Sequence, residues 1–151
     1  MSAKIFPTAQ DAENAFYEAL ERCDLDGMMA VWAEDEDILC VHPTGGRLTG
    51  QDQVRESWAQ MFAAGPRARL QVSQQVAIAG MMLAVHSVFE NFSLEGAAPG
   101  DARPAPIVAT NVYLRTAAGW RMIVHHASPA PGQPAPAAQA APRNTPPKTL
   151  H

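Results

Sequence analysis

Residues 15–62 read AFYEALERCDLDGMMAVWAEDEDILCVHPTGGRLTGQDQVRESWAQMF, and how this stretch is divided decides the fold. It opens inside an apolar pattern of helical period, with Ala12, Ala15, Phe16, Ala19, Leu20 and Cys23 on one face. Thr8, with Asp11 three positions on, forms a capping pair that starts this helix after Pro7. CDLDG interrupts it, and Asp24 caps a second short helix carrying Leu25, Met28, Met29 and Trp32. The acidic run Glu34–Asp37 ends that helix as a solvated loop. DILCVHP follows as a short strand, closed by Pro43 and a Gly45–Gly46 turn. Thr49 then caps a third helix with Val54, Trp58, Met61 and Phe62 on its apolar face, and Gly65–Pro66 stops it.

Beyond residue 66 the apolar period changes from 3.6 to 2. From Arg69 to Ala79, Leu70, Val72, Val76 and Ile78 alternate with Gln71, Ser73 and Gln75. Gly80 marks a turn, and Met82 to Leu94 forms a second long strand. EGAAPGDARPAP reads as a mobile hairpin loop. Ile107–Thr116 and Trp120–His126 are two more strands, joined by a tight turn at Ala117–Gly119. Three helices followed by a run of hairpins is an α+β pattern, with the helices on one face of a curved, mainly antiparallel sheet.

The chain of 151 residues is near the size of one domain, and 47% hydrophobic residues suffice for one core. A net charge of −4, with 11 scattered basic residues, argues against nucleic acid. The N-terminus MSAKIFPTAQ has no apolar signal region and no apolar run approaches a membrane span, so the expectation is a soluble cytoplasmic protein with no membrane partner. Cys23 and Cys40 show no CxxC or metal spacing and read as reduced, packed thiols. Residues 128–151 hold seven of the 13 prolines, one leucine and no Phe, Tyr or Trp, and read as a flexible tail after a domain spanning residues 1–127.

The stretch Ala15–Phe62, together with GWRMIVHHAS near the end, resembles the nuclear transport factor 2-like superfamily, also called SnoaL-like or ketosteroid isomerase-like. The final strand is also similar to that of the calcium/calmodulin-dependent kinase II association domain. The resemblance covers roughly residues 8–128 and implies a cone in which the bent sheet wraps the first helix around a pocket. It also implies a homodimer formed through the outer sheet face. Val108, Val112 and Leu114 are apolar opposite Asn111 and Tyr113, so both faces of that strand need cover.

In the ketosteroid isomerases the general base is an aspartate just before the matching proline; here that position is His42. His42 either lines the pocket, where an imidazole accepts protons near neutral pH, or caps a strand end. The resemblance places the oxyanion-stabilising tyrosine at Phe16 and its acidic partner at Asn111. Phenylalanine donates no hydrogen bond and asparagine is the weaker donor, which argues against steroid-type isomerisation. Tyr17 is turned ~100° away on the helix and is not expected to substitute. On the last strand Trp120, Met122, Val124 and His126 form the more apolar face, which directs His126 inward and His125 outward with Arg121.

The face of His86 stays open, because Ala84, Val88 and Phe92 are as apolar as Leu83, Val85 and Phe89. Glu90 is either a solvated outer-face residue or a pocket acid. His42, His86 and His126 lack metal-ligand spacing, and no dinucleotide fingerprint, phosphate loop or Ser/His/Asp triad is present, so neither metal nor cofactor is implied. The candidate catalytic set is His42, Asn111 and His126. The candidate ligand contacts are Phe16, Trp32, Trp58, Phe62 and Tyr113, although large aromatics at helical spacing, such as Trp32, Trp58 and Phe62, more often pack a core than recognise a ligand. The leading expectation is a pocket for a small hydrophobic or aromatic molecule, with isomerase-, cyclase- or hydratase-like acid/base chemistry. The rival is a non-catalytic dimerisation or interaction domain. An open cavity lined by His42 and Asn111 favours the first, and a space filled by bulky side chains the second.

Overall fold

Helix α1 (Ala9–Arg22) begins at the expected cap: the Thr8 side chain accepts from the Asp11 backbone N–H, and its hydroxyl donates to the Asp11 carboxylate at 2.8 Å. A computed structural model describes residues 4–34, 37–94, 96, 98, 100 and 104–131. Helix α2 (Leu25–Val31) is capped by Asp24, whose carboxylate accepts from Gly27 N–H at 3.0 Å. Helix α3 (Gln51–Ala64) departs from expectation at its start. Thr49 ends a short strand, and the cap is Gly50 at φ +80°, a backbone conformation that favours glycine over threonine. Gln53 supplies the local bond instead, accepting from the Thr49 N–H.

Six strands follow the order β2-β1-β6-β5-β4-β3. They are β1 (Leu39–Val41), β2 (Arg47–Thr49), β3 (Ala68–Ala79), β4 (Leu83–Leu94), β5 (Ile107–Thr116) and β6 (Gly119–Pro129). All pairings are antiparallel except β1 with β6. The result is the expected α+β architecture, three helices on a curved, mainly antiparallel sheet. Strand β6 runs to Pro129, and Ala130 N–H donates to the Pro106 carbonyl. Most of the expected tail, most of the 95–103 loop and the middle of the acidic run fall outside the described residues. Among the described residues, no helix is long and apolar enough to cross a membrane.

Two β-bulges shape the sheet and shift the phase of its side chains. In β3, Gln74 and Gln75 together sit between Ser73, opposite Phe89, and Val76, opposite Ser87. Leu70 and Val72 therefore face the helices, while Val76 and Ile78 lie on the outer face with Phe89 and Val85. The even-numbered stripe expected on one face of β3 is thus split. In β6 the register slips between Val112 and Tyr113, whose partners are Val124 and Met122, leaving Ile123 as the extra residue.

The core lies between the inner sheet face and the helices. Phe16, Met28, Val31, Trp32, Val54 and Trp58 meet Val88, Ala109, Tyr113 and Met122 there, all fully or nearly fully buried. Truncating a large aromatic in such a setting typically costs about 3–5 kcal/mol. Trp32 is placed by a parallel bridge to Met122 and by the Ala33 N–H bond to the Met122 carbonyl at 3.0 Å. Met61, expected on the buried face of α3, is exposed.

Candidate functional site

The register aligns three polar residues in one row across the inner sheet face: His86 opposite Asn111, and Asn111 opposite His125. Cys40 of β1 extends the row beside His125. Each of these residues is buried. Helix α1 presents Glu13 and Tyr17, one turn apart, to the same surface.

A directional chain of hydrogen bonds results. His125 Nδ1 lies 2.6 Å from Asn111 Oδ1, which can only accept, so His125 carries its proton on Nδ1. Asn111 Nδ2 donates to the Tyr17 hydroxyl at 2.8 Å, and Tyr17 donates to Glu90 Oε2 at 2.7 Å. Burial, more than the nearby His42 and His126, holds the His125 pKa down at about 3, leaving a neutral ring with a lone pair on Nε2. Burial pushes the Glu90 carboxyl up to about 7, against the opposing pull of the Tyr17 hydrogen bond, and Glu13 adds to the rise. The Tyr17 phenol is raised far above its ordinary value, by burial first and then by Glu90.

A second polar group adjoins this chain. His86 Nδ1 pairs with Glu13 Oε2, both residues nearly fully buried. Gln75, presented by the β3 bulge, donates to the same oxygen at 2.8 Å and to Gln10 at 2.8 Å. The face of His86, open from the sequence, is therefore the inner one, with Ala84, Val88 and Glu90. Glu90 is an interior acid, not a solvated residue.

The expected site residues separate. Asn111 is at the centre, though both ends of its amide are engaged by protein. His126 is exposed on the outer face, and His125 takes the inward position; the bulge at Ile123 reverses the alternation on which the opposite expectation rested. His42 is half-buried beyond β1, its Nε2 2.7 Å from Ser57 Oγ and its ring edge-on to Trp58 at 4.6 Å. Burial lowers its pKa.

Phe16 is fully buried, its ring 4.8 Å from His125 and 5.7 Å from Trp58, and half-buried Phe62 lies 5.6 Å beyond Trp58. Trp32 closes the other side of Phe16 at 6.4 Å. Bulky side chains thus fill the space between Asn111 and His42. Tyr113 is fully buried beside His86, ring centroids 5.2 Å apart. Cys40 is a packed thiol, pushed up to about 12 by burial and then by Glu90.

Tyr17 corrects the sequence reading in the other direction. The ~100° between neighbouring helical residues does not turn it away, because the curved sheet covers a wide arc of α1. Phe16 faces Trp58 and His125 while Tyr17 faces Glu90 and Asn111, their rings 4.9 Å apart and nearly perpendicular. Two signals for the missed residues were present. Glu13 and Tyr17 share an i, i+4 row, and Glu90 keeps the parity of Ala84, His86 and Val88.

The sequence profile of the SnoaL-like domain matches residues 10–132. A solved structure from Thiobacillus denitrificans, described as a proposed calcium/calmodulin-dependent protein kinase type II association domain, is 43% identical with a TM-score of 0.75, covering 84% of this chain and 98% of its own. A proposed dehydratase of the NTF2-like family from Streptomyces avermitilis is 31% identical with a TM-score of 0.69, covering 79% and 91%. A ketosteroid isomerase-like protein from Erwinia carotovora is 18% identical with a TM-score of 0.62 over 80% and 92%, a likeness of fold. A search of curated protein sequences finds no match.

Proposed function

The chain belongs to the SnoaL-like domain family, and from that premise we propose that it binds a small hydrophobic or aromatic molecule and performs acid/base chemistry on it, of isomerase, cyclase or hydratase type. The observation that carries this reading is Glu90: a nearly fully buried carboxyl with its pKa brought to about 7 and one oxygen held by the Tyr17 hydroxyl. A carboxyl poised at neutrality in a dry interior is suited to both removing and returning a proton. His125, kept neutral with its pKa near 3 and fixed by Asn111, is a hydrogen-bonding group at the other end of the chain and leaves the proton transfer to Glu90. His42 stands at the periphery, and Phe16, Trp32, Trp58, Phe62 and Tyr113 form the walls. The 31% identity to a proposed dehydratase is in keeping with this class.

The test is a thermal-shift screen of small aromatic acids, steroids and polyketide-like compounds, followed by proton/deuterium exchange at the carbon next to a ligand carbonyl. Wild type should exchange that proton and Glu90→Gln should not, while ligand binding persists. No stabilising ligand, or equal exchange by the variant, defeats the reading.

A second reading, a non-catalytic dimerisation domain, is favoured by the bulky side chains that fill the space between Asn111 and His42, the arrangement expected for it, and by two further observations. One is the 43% identity to the proposed association domain. The other is the outer sheet face, where Leu83–Leu114, Val85–Val112 and Phe89–Val108 form apolar cross-strand pairs and Val76 is 61% exposed. Such a surface matches one that a second copy of the chain would cover. The two readings use opposite faces of the sheet and are compatible.

A further inference from the structure

Two buried polar atoms at the inner end of the site have no hydrogen-bond partner: Glu13 Oε1 and the Tyr113 hydroxyl. Their residues are 1% and 0% exposed. Both adjoin the His86 side chain. The His86 ring lies against Tyr113 at 5.2 Å, and its Nδ1 binds the other oxygen of Glu13. Burial first, then the Glu13 carboxylate, holds the Tyr113 phenol well above its ordinary value, as a nearby negative charge must. Asn111 gives one Nδ2 proton to Tyr17; its second, short of hydrogen-bond geometry to Tyr113 yet near enough to lower the phenol pKa, can serve only the phenol oxygen, so the phenol proton still lacks an acceptor. Each unpartnered buried group costs about 1–3 kcal/mol, so a pair of them beside one histidine calls for a partner that serves both. The indole N–H groups of Trp32 and Trp58 are also unpartnered, but these are donors only and sit in the aromatic cluster around Phe16.

The two atoms differ in kind. A carboxylate oxygen accepts only; a phenol hydroxyl donates and accepts. A carbonyl oxygen would satisfy Tyr113 and repel Glu13, and an ammonium group would satisfy Glu13 and leave the phenol proton idle. A hydroxyl group satisfies both, donating to Glu13 Oε1 and accepting from Tyr113. We propose that Glu13 and Tyr113 form the hydroxyl-binding end of the site, and that its ligand is a small ring compound bearing a hydroxyl group. This rests on the small-molecule reading above and adds to it the polar group that orients the ligand beside Glu90.

The test is an NMR titration of the full chain with p-cresol and with toluene, in wild type, Tyr113→Phe and Glu13→Gln. In wild type p-cresol should bind roughly tenfold or more tightly than toluene, the span expected for a hydrogen bond to a charged group. Each variant should lose that preference with toluene affinity unchanged, and either variant suffices if the other does not fold. Equal affinity of the two probes for wild type, or a hydroxyl preference that survives both substitutions, overturns the assignment while leaving ring binding intact. Failure of both probes to bind overturns it together with the small-molecule reading.

Discussion

Tyr17 donates its hydroxyl proton to Glu90 Oε2 at 2.7 Å, joining the first helix to β4 across 73 positions of sequence. The same hydroxyl accepts from Asn111, so one phenol oxygen links the acid to the histidine end of the chain.

Tyr17→Phe should therefore do more than remove a contact. It leaves the Asn111 amide and the Glu90 carboxyl each short of a partner in a buried setting, at an expected cost of about 1–3 kcal/mol. It also removes the bond that pulls the Glu90 pKa down, so Glu90 should titrate higher than its present value of about 7. Urea denaturation and side-chain carbon NMR measure the two effects; an unchanged Glu90 titration would contradict the chain described here.

Stability should depend on pH through two opposing groups. Glu90 is raised from an ordinary 4.5 to about 7, so the folded state keeps a proton that the unfolded state has released. Its contribution is complete below about pH 4.5 and is lost as pH rises through about 7. His125 is lowered from 6.5 to about 3, so its contribution is complete above pH 6.5 and is lost as pH falls towards 3. Glu90→Gln removes the first slope and leaves the second. Relative to wild type it should gain stability as pH rises from 4.5 to 7, by a total on the order of 3 kcal/mol. Denaturation curves from pH 4 to 8 for the two proteins check this; parallel curves would rule it out.

His42→Ala should lower the melting temperature by only about 3–5 °C. The side chain is half-buried, and its Ser57 bond and Trp58 contact lie at the edge of the core, so the expected cost is about 1 kcal/mol. Tryptophan fluorescence should shift as the Trp58 ring edge loses its neighbour. A stability loss of several kcal/mol with no change in ligand binding would mark His42 as a structural residue.

The β3 bulge holds Gln74 at φ +52°, where a side chain is strained. Gln74→Gly should be neutral or stabilise by up to about 1 kcal/mol, and Gln74→Val should destabilise by about 1–2 kcal/mol. Thermal denaturation of the pair reads the sign; a destabilising glycine would show that the Gln74 side chain contributes contacts of its own.

Val112→Glu places a charge on the outer face between Val85 and Val124. If a second copy covers that face, light scattering should show wild-type dimers and monomeric variant, with an unchanged circular dichroism spectrum. A monomeric wild type would remove the dimerisation reading.

The helices and the succession of hairpins could be read from the sequence, because their causes are local. Thr8 and Asp24 cap the residues directly after them, and the change of apolar period at residue 66 separates helices from strands without reference to any distant partner. The site was only partly readable. Asn111 is legible from the family pattern and lies at its centre, whereas strict alternation, which ignores the bulge at Ile123, points to His126 in place of His125.

Local chemistry thus determined which segments are helix and which are strand, and with them the α+β class. The tertiary structure decided which side chains meet. A bulge exists only in the pairing of two strands, so the faces of Val76, Ile78 and His125 were fixed by β4 and β5 and not by their own segments. Glu13, Tyr17 and Glu90 became interior polar groups because a curved sheet encloses α1 on more than one side, bringing together atoms whose sequence separation no periodicity records.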